Sequence, residues 1–183
     1  MKLSDIEFED INFKTCVLEG GFEDTNDVVE LICRKKKIKS IKGVEHLTEL
    51  TLLDLTRNQL SDIDLSKNTK LEELFLGNNA IESLNISGCT ALTHLEVFMN
   101  ELEEIDISKN IFIEDLWADL NNLKAIDLSS SSELVDLRVN SNDITDLDLT
   151  RNTKLEKLLI QENPLTDDVK AKLSKLAPVL VKT

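Results

Sequence analysis

The 183-residue sequence has few of the residues from which catalytic and metal sites are usually built. It contains two histidines, three cysteines and five glycines. No cysteine–histidine cluster with zinc-type spacing is present, and no glycine-rich loop is available to hold a phosphate. Neither His46 nor His94 comes with a recognisable substrate pocket. We therefore predict a non-catalytic protein with no cofactor and no metal site.

Basic residues are scarce relative to acidic ones, with 21 lysines and arginines against 35 aspartates and glutamates and a formal net charge of −14. This charge disfavours nucleic acid and anionic membranes as partners, because both would be repelled. No apolar run approaches the ~18 residues of a membrane-spanning helix. The first residues, MKLSDIEFEDINF, lack the apolar region of a signal peptide. The protein is then either cytoplasmic or begins after a removed signal.

What the sequence has in abundance is an apolar repeat of 21 residues. The frame LxxLxLxxNxL begins at positions 50, 71, 92, 113, 134 and 155. One copy contains Leu71, Leu74, Leu76, Asn79 and Ile81. A degenerate copy precedes the others, with Val28, Leu31, Cys33 and Ile38, and with Lys36 where asparagine is expected. A fixed period of this length indicates a solenoid.

With this frame the sequence resembles the leucine-rich repeat proteins, and in particular the short bacterial type in which two half-units alternate. The resemblance implies an α/β repeat fold, namely a right-handed solenoid with a parallel β-sheet on one face, few or no convex helices, and a small helical cap at each end. We expect an N-terminal cap over residues 1–27, one degenerate and six clear repeats over 28–165, and a C-terminal cap helix and tail over 166–183.

Each repeat position has a physical explanation. Alternation in Leu74–Leu76 turns two leucines inward and Phe75 outward on a short strand. The recurrent asparagine turns inward, where its amide can satisfy backbone groups of the bend, so a ladder should run from Asn58 to Asn163. The second half of each unit also alternates, as in Leu84 and Ile86, and this predicts a second run of short extended segments. A second ladder is expected from Asn68, Asn110 and Asn152.

The two ends read as caps. Apolar residues between Ile6 and Leu18 give weak helical evidence for the first cap, which Gly20 and Gly21 would end. At the other end Thr166 or Asp167 can cap a helix. We expect one face of that helix to carry Val169, Leu173 and Leu176, and we expect Pro178 to end it.

The cysteines fall into two groups. The segments TCV at 15–17 and ELIC at 30–33 look like the disulfide-closed caps of secreted bacterial leucine-rich repeat proteins. This resemblance implies a disulfide between Cys16 and Cys33, whereas the alternative is two buried free thiols. Cys89 aligns with Asn68 and Asn110 in the second ladder, so we interpret it as a small buried hydrophobe.

Function is expected on the outward side chains of the strand face, since the leucines build only the scaffold. Neighbouring parallel strands lie ~4.8 Å apart, so apolar residues of three adjacent coils should form one patch. The predicted binding residues are Phe75, His94, Glu96, Phe98, Met99, Trp117, Asp119, Leu120 and Arg138. Aromatic residues, methionine and arginine inside a charged rim are typical of a protein interface.

These residues support three hypotheses. The first is a protein-recognition module, which in a secreted bacterial protein would serve adhesion or cell-surface recognition. The second is a carbohydrate-binding protein in which Phe75, Phe98 and Trp117 stack on sugars. The third is a homodimer that forms through the same patch. We expect the chain to be a monomer or a weak dimer. A competing interpretation bends Met99 and Leu120 inward, and Phe112 is expected in the core.

Two charged features lie outside that patch. One is a basic cluster that we interpret as a solvated first coil, with docking of an acidic partner or of a second molecule's acidic face as the alternative. It consists of Arg34, Lys35, Lys36, Lys37, Lys39 and Lys42. The opposite face carries Asp64, Asn85, Asp106, Asp127 and Asp148. This stripe suits either calcium or a solubilising surface, but no loop has the ligand spacing of a calcium motif.

Overall fold

The computed structural model describes residues 1–175 and 181–182. Each coil contributes a short strand to one sheet. The strands are β1 (Glu30–Ile32), β2 (Leu52–Asp54), β3 (Asp62–Asp64), β4 (Glu73–Phe75), β5 (Ser83–Asn85), β6 (His94–Glu96), β7 (Asp115–Trp117), β8 (Asp136–Arg138), β9 (Lys157–Leu159) and β10 (Val181–Lys182). The helices are α1 (Ile11–Glu19) and α2 (Asp167–Leu173), with 3₁₀ turns at Leu3–Asp5, Thr25–Asp27 and Val44–His46.

The main sheet is parallel, with strand order β1-β2-β4-β6-β7-β8-β9-β10. Its register follows the repeat, because Leu53, Leu74 and Leu95 are paired strand to strand. Successive parallel strands need a crossover, and here each crossover is the rest of one coil, which winds the chain into a right-handed solenoid. The predicted fold class is confirmed.

The core is a single column of inward side chains. The inward leucines, isoleucines and valines of the repeats are almost all fully buried, and they form one apolar cluster from Leu3 to Leu173. No coil could bury these side chains alone, so stability arises from the contacts between neighbouring coils.

The inward asparagines tie each bend to the coil before it. The Nδ2 of Asn100 donates to the carbonyls of Leu76 at 3.1 Å and Val97 at 2.9 Å, and its Oδ1 accepts from the N–H of Ile81 at 3.0 Å. Equivalent bonds are made by Asn58, Asn79, Asn121, Asn142 and Asn163. The ladder therefore satisfies backbone groups that the turn would leave unpaired.

The second ladder is present in a simpler form. Asn68, Asn110 and Asn152 each donate to two backbone carbonyls of the preceding coil. Between them the Sγ of Cys89 lies 3.3 Å from the carbonyl of Leu65. Cys89 is fully buried and not disulfide-bonded, as predicted.

The second run of strands is shorter than predicted. Among the described residues only β3 and β5 pair on the side opposite the sheet. There the amide of Asn85 donates to Asp64 at 3.1 Å. The later coils place Asp106, Asp127 and Asp148 at this position. Like charges opposite one another disfavour strand pairing, which explains why this second sheet does not continue beyond β5.

The N-terminal cap is built on α1. Asp10 caps the helix by accepting from the N–H groups of Asn12 and Phe13. Phe13, Cys16 and Val17 are buried against the first coil. Cys16 and Cys33 form a disulfide across this contact, with Cα atoms 5.9 Å apart, so the pairing implied by the resemblance is confirmed.

At the C-terminal end, Thr166 caps α2 and places Val169 and Leu173 in the core. The predicted positions Leu176 and Pro178 lie outside the described residues. Neither α1 nor α2 is long and apolar enough to cross a membrane, and the same holds for every other described helix.

One core prediction is wrong. Phe112 is 52% exposed, and its neighbour Ile111 is also exposed. Both residues lie in the turn that follows Asn110, before the inward position of Ile113 is reached. Other coils have threonine, serine, lysine or glutamate at most of these turn positions, which shows that the turn is open to solvent.

Candidate functional site

The sheet aligns the outward residues of neighbouring coils in rows. One row is formed by Phe75, Glu96, Trp117 and Arg138, which are direct register partners in β4, β6, β7 and β8. The next row toward the strand starts contains His94 and Asp115. The rows bring together the predicted residues at the centre of the patch, and all six side chains are half-buried.

His94 is clamped between two carboxylates. Its Nδ1 lies 3.3 Å from Oδ2 of Asp115, and its Nε2 lies 3.1 Å from Oε1 of Glu96. An ionised carboxylate only accepts hydrogen bonds, so both contacts are satisfied only when both ring nitrogens carry a proton. The hydrogen bonds that His94 donates to Glu96 and to Asp115 raise the pKa of His94 above its usual value, against the opposing effect of burial.

The His94 clamp should make stability depend on pH. Since the pKa of His94 is raised in the folded state, its contribution is complete below the unfolded value of about 6.5 and is lost as the pH rises through the folded pKa. We expect the free energy of unfolding to fall as the pH rises above about 6.5. Urea unfolding of the wild type and of His94→Gln tests this. An equal fall in both proteins would place the titrating group elsewhere.

Trp117 is half-buried by its neighbours instead of forming an open platform. The guanidinium of Arg138 lies 3.5 Å from the centroid of the indole ring, and the ring of His94 meets it edge-on at 5.4 Å. Arg138 is held by Asp136, whose carboxylate also accepts from Lys157 at 3.0 Å. Burial raises the pKa of Asp136, but the hydrogen bonds from Arg138 and Lys157 outweigh it and leave that pKa lowered.

Phe98 depends on a glycine that sequence reasoning missed. A Cβ atom on Gly77 would lie 2.4 Å from the Phe98 ring, so the ring lies over the backbone of the preceding coil. The signal was available, because Gly77 occupies the same position of its coil as Phe98 does one repeat later. In the following coil this position is Asp119, which accepts from the N–H of Asn140 at 3.0 Å and from its amide at 2.7 Å. Burial raises the pKa of Asp119.

Met99 and Leu120 sit in left-handed bends. Their φ angles are +54° and +56°, and the same position is left-handed in each coil from Lys35 to Glu162. The side chains are 44% and 50% exposed, so they do not bend inward. A large apolar residue at positive φ costs conformational energy and would be replaced favourably by glycine or asparagine. The fold alone therefore gives no reason for either residue.

This position permits a direct stability test. We expect Met99→Asn and Leu120→Asn each to raise the free energy of unfolding by about 1 kcal/mol, because asparagine tolerates the left-handed conformation. Met99→Ala is the matched control, since it removes the apolar side chain and keeps the backbone penalty. Chemical denaturation of the three variants measures the effect. Destabilisation by Met99→Asn would mean that Met99 packs as part of the core.

The acidic stripe on the opposite face is used in local turns. Asp64, Asp106, Asp127 and Asp148 each accept, at 2.9 Å, from the backbone N–H two residues further along. These bonds, together with those from the neighbouring hydroxyls, lower the pKa of each carboxyl group. The stripe thus satisfies backbone donors at the surface.

Comparison with solved structures places this geometry among repeat proteins. A functional domain of InlJ from Listeria monocytogenes that includes a cysteine ladder matches with a TM-score of 0.78 and 27% identity, over 91% of this chain and 44% of that one. An LRR protein of Leptospira interrogans matches with a TM-score of 0.67 and 22% identity, over 71% and 36% of the two chains. Internalin C2 of Listeria monocytogenes matches with a TM-score of 0.65 and 21% identity, over 100% and 96%.

Sequence comparison gives a narrower match. A protein phosphatase 1 regulatory inhibitor subunit PPP1R7 homolog of Arabidopsis thaliana is 38% identical over 85 residues, which are 46% of this chain. The match spans only 25% of the length of that protein. No family model matches the chain. With its repeat frame, two asparagine ladders and parallel solenoid, the chain has the leucine-rich repeat fold with 21-residue repeats and is similar to these proteins.

Proposed function

We propose that the chain is a non-catalytic protein-recognition module that binds a protein partner through the strand face. The observation that carries this proposal is the pair Met99 and Leu120, which are exposed apolar side chains held in left-handed bends. Both features cost stability, and burial under a partner recovers the cost of exposure. The two residues lie in adjacent coils and continue the apolar surface of Phe98.

The centre of the face supports the same function. Trp117, Arg138 and His94 are fixed against one another by stacking and ion pairs, so little side-chain freedom remains to be lost on binding. Tryptophan and arginine near the middle of an interface commonly dominate its binding energy. The predicted set from Phe75 to Arg138 therefore fits a preorganised interface.

Carbohydrate binding is less well supported. A sugar that stacks on Trp117 needs a free ring face, and the guanidinium of Arg138 already covers one face at 3.5 Å. Phe98 in turn lies over Gly77. Self-association through the patch has no specific observation in its favour.

For the cellular setting we propose secretion or display on a bacterial cell surface, with a role in adhesion or cell-surface recognition. The Cys16–Cys33 disulfide supports this, because such bonds persist in oxidising compartments and are rare in the cytosol. Trapping thiols with an alkylating reagent in intact cells tests it. A cytoplasmic protein would have both cysteines alkylated.

The binding proposal is tested by selecting partners from a displayed library of protein domains and peptides with the immobilised chain. We expect Trp117→Ala to weaken selected partners at least tenfold, as for a central interface residue, with little change in unfolding. Phe112→Ala is the matched control, since Phe112 is an exposed aromatic residue outside the strand face. Because Trp117 is the only tryptophan and tyrosine is absent, its emission reports the contact directly.

Three results would contradict the proposal. Partners that respond to Phe112→Ala and not to Trp117→Ala would place the interface elsewhere. Tight recognition of free oligosaccharides that depends on Trp117 would favour the carbohydrate hypothesis. A mass that rises with concentration and falls again in Trp117→Ala would make the face a homodimer interface.

A further inference from the structure

The positive charge of this acidic chain is concentrated at one end of the strand face. Six of its 21 lysines and arginines lie between Arg34 and Lys42, and no acidic residue interrupts them. The next coil adds Arg57. In a protein of net charge −14 this cluster is therefore a local concentration of positive charge that would attract an anionic group.

Within this cluster the cations differ in how far they are neutralised. Arg34 is bound to Asp54, which is only 1% exposed, and Lys36 is paired with Glu19. Lys35 and Arg57 are exposed and have no ion-pair partner among residues 1–175. Within this part of the chain Lys35 and Arg57 are thus unpaired cations, whereas Arg34 is held by Asp54.

Lys35 and Arg57 also project from equivalent points. Both occupy the left-handed bend of their coils, with φ of +56° and +60°. The N–H of Lys35 donates to Thr56, and the N–H of Arg57 donates to Gly77. Consecutive coils are therefore hydrogen-bonded at the bend, and the two side chains leave the surface next to one another. The same row continues through Asn78 to Met99.

These residues border an open depression of about 460 Å³. Its lining combines the basic residues Arg34, Lys35 and Arg57 with the apolar residues Phe75, Phe98 and Met99. The basic end and the aromatic patch are hence parts of one continuous surface. A ligand that fills the depression must offer a negative group on one side and an apolar group on the other.

Glu96 is the single carboxylate in the lining, and its contact with His94 reduces its repulsion of an anion. Its Oε1 is bound to Nε2 of His94 at 3.1 Å, and His94 is a cation when both of its carboxylate contacts are satisfied. Arg34 is paired with Asp54, and Glu96 shares His94 with Asp115, so the cations of the depression that have no ion-pair partner among residues 1–175 are Lys35 and Arg57.

We infer that the depression bordered by Lys35, Arg57, Phe98 and Met99 binds an acidic side chain of a protein partner together with an adjacent apolar side chain. This inference rests on the proposed function and specifies the chemistry of the partner. The guanidinium of Arg57 suits bidentate contact with a carboxylate, and Lys35 adds a second charge. Phe98 and Met99 receive the apolar neighbour, as adaptable and aromatic surfaces commonly do.

The test uses an acetylated and amidated hexapeptide of alternating aspartate and leucine, with an otherwise identical peptide in which asparagine replaces aspartate. Met1 and Met99 are the only methionines, so a carbon-13 methyl spectrum reports the depression with one resolved signal. We expect the Met99 signal to shift saturably with the aspartate peptide, and the asparagine peptide to bind at least about tenfold more weakly. The affinity for the aspartate peptide should fall with added salt.

Variants distinguish binding in the depression from non-specific electrostatic attraction between the peptide and exposed basic residues. Arg57→Gln should reduce the affinity about tenfold, and Lys35→Gln with Arg57→Gln should reduce it further. Arg151→Gln is the matched control, since Arg151 is an exposed arginine without an ion pair among the described residues. It should leave the affinity unchanged.

The inference is overturned if the Met99 signal does not move, if both peptides bind equally, or if Arg151→Gln matters as much as Arg57→Gln. Stronger binding of a sulfated oligosaccharide of equal charge would assign the depression to another ligand class. A library-selected partner that requires Trp117 and is indifferent to Lys35 and Arg57 would refute only this inference. A partner that requires neither Trp117 nor these cations would refute the proposed function as well.

Discussion

Replacing Asn100 by alanine should lower the free energy of unfolding by about 3 kcal/mol, because a buried backbone donor loses its acceptor and a cavity remains. The N–H of Ile81 donates to Oδ1 of Asn100. The carbonyls of Leu76 and Val97 lose one donor each but keep a second from the neighbouring asparagines Asn79 and Asn121. The unpaired N–H of Ile81 is therefore the largest part of the expected loss.

Chemical denaturation followed by circular dichroism and by Trp117 emission measures this effect. Asn122→Ala is the control, since Asn122 is an exposed asparagine directly after the ladder residue Asn121. It should change stability by less than about 0.5 kcal/mol. Asn100→Asp is a sharper variant, because it keeps the shape and removes the two donors. If it unfolds no more easily than the wild type, the ladder contributes little to stability.

The ladder also shows why the fold could be predicted from the sequence. Inward leucines and asparagines recur every 21 residues, and in every coil the leucines pack in the core and the asparagine bonds the backbone of the bend. The outward direction of Phe75 and Trp117 follows from the same parity. The repeat period determines whether a side chain points into the core or outward, and this is enough to predict which residues form the strand face.

The details of the candidate site depend on contacts that a period does not contain. The stacking of Arg138 on Trp117 depends on Asp136 in the same strand and on Lys157 in the next strand, β9. The clamp on His94 depends on the side-chain rotamers of Glu96 in β6 and Asp115 in β7. The left-handed bend was hidden for a different reason. The backbone hydrogen bonds of the coil hold this position at positive φ whatever residue stands there, so Met99 and Leu120 give no turn signal of the usual kind.

Phe112 illustrates the opposite error. Its large apolar side chain suggested burial, but it belongs to the turn between the second ladder and the next strand, where the chain is open to solvent. Composition alone predicts burial only on average, whereas position in the repeat decides it. Aligning Phe112 with Lys70 and Lys154, which occupy the same turn position, would have predicted its exposure.

Removing the Cys16–Cys33 disulfide should lower the free energy of unfolding by about 3 kcal/mol in the loop-entropy model, for a separation of 17 residues. The expected variant is Cys16→Ala combined with Cys33→Ala. The effect should concentrate in the N-terminal cap, because α1 has only nine residues and is too short to be stable without its contacts to the first coil. Hydrogen exchange over Ile11–Glu19 should therefore accelerate more than exchange in the central coils.

Cys89 provides the internal control for this experiment. Burial raises the pKa of its thiol to about 12, so the native protein should not react with a thiol reagent and the unfolded, unreduced protein should release one thiol. A reductant should destabilise the wild type and Cys89→Ala equally and leave the Cys16→Ala, Cys33→Ala protein unchanged. Resistance of Cys89→Ala to the reductant would show that the stabilising bond involves Cys89 instead of the Cys16–Cys33 pair. Full stability of the reduced wild type would instead mean that the packing of Phe13 and Val17 alone holds the cap on the first coil.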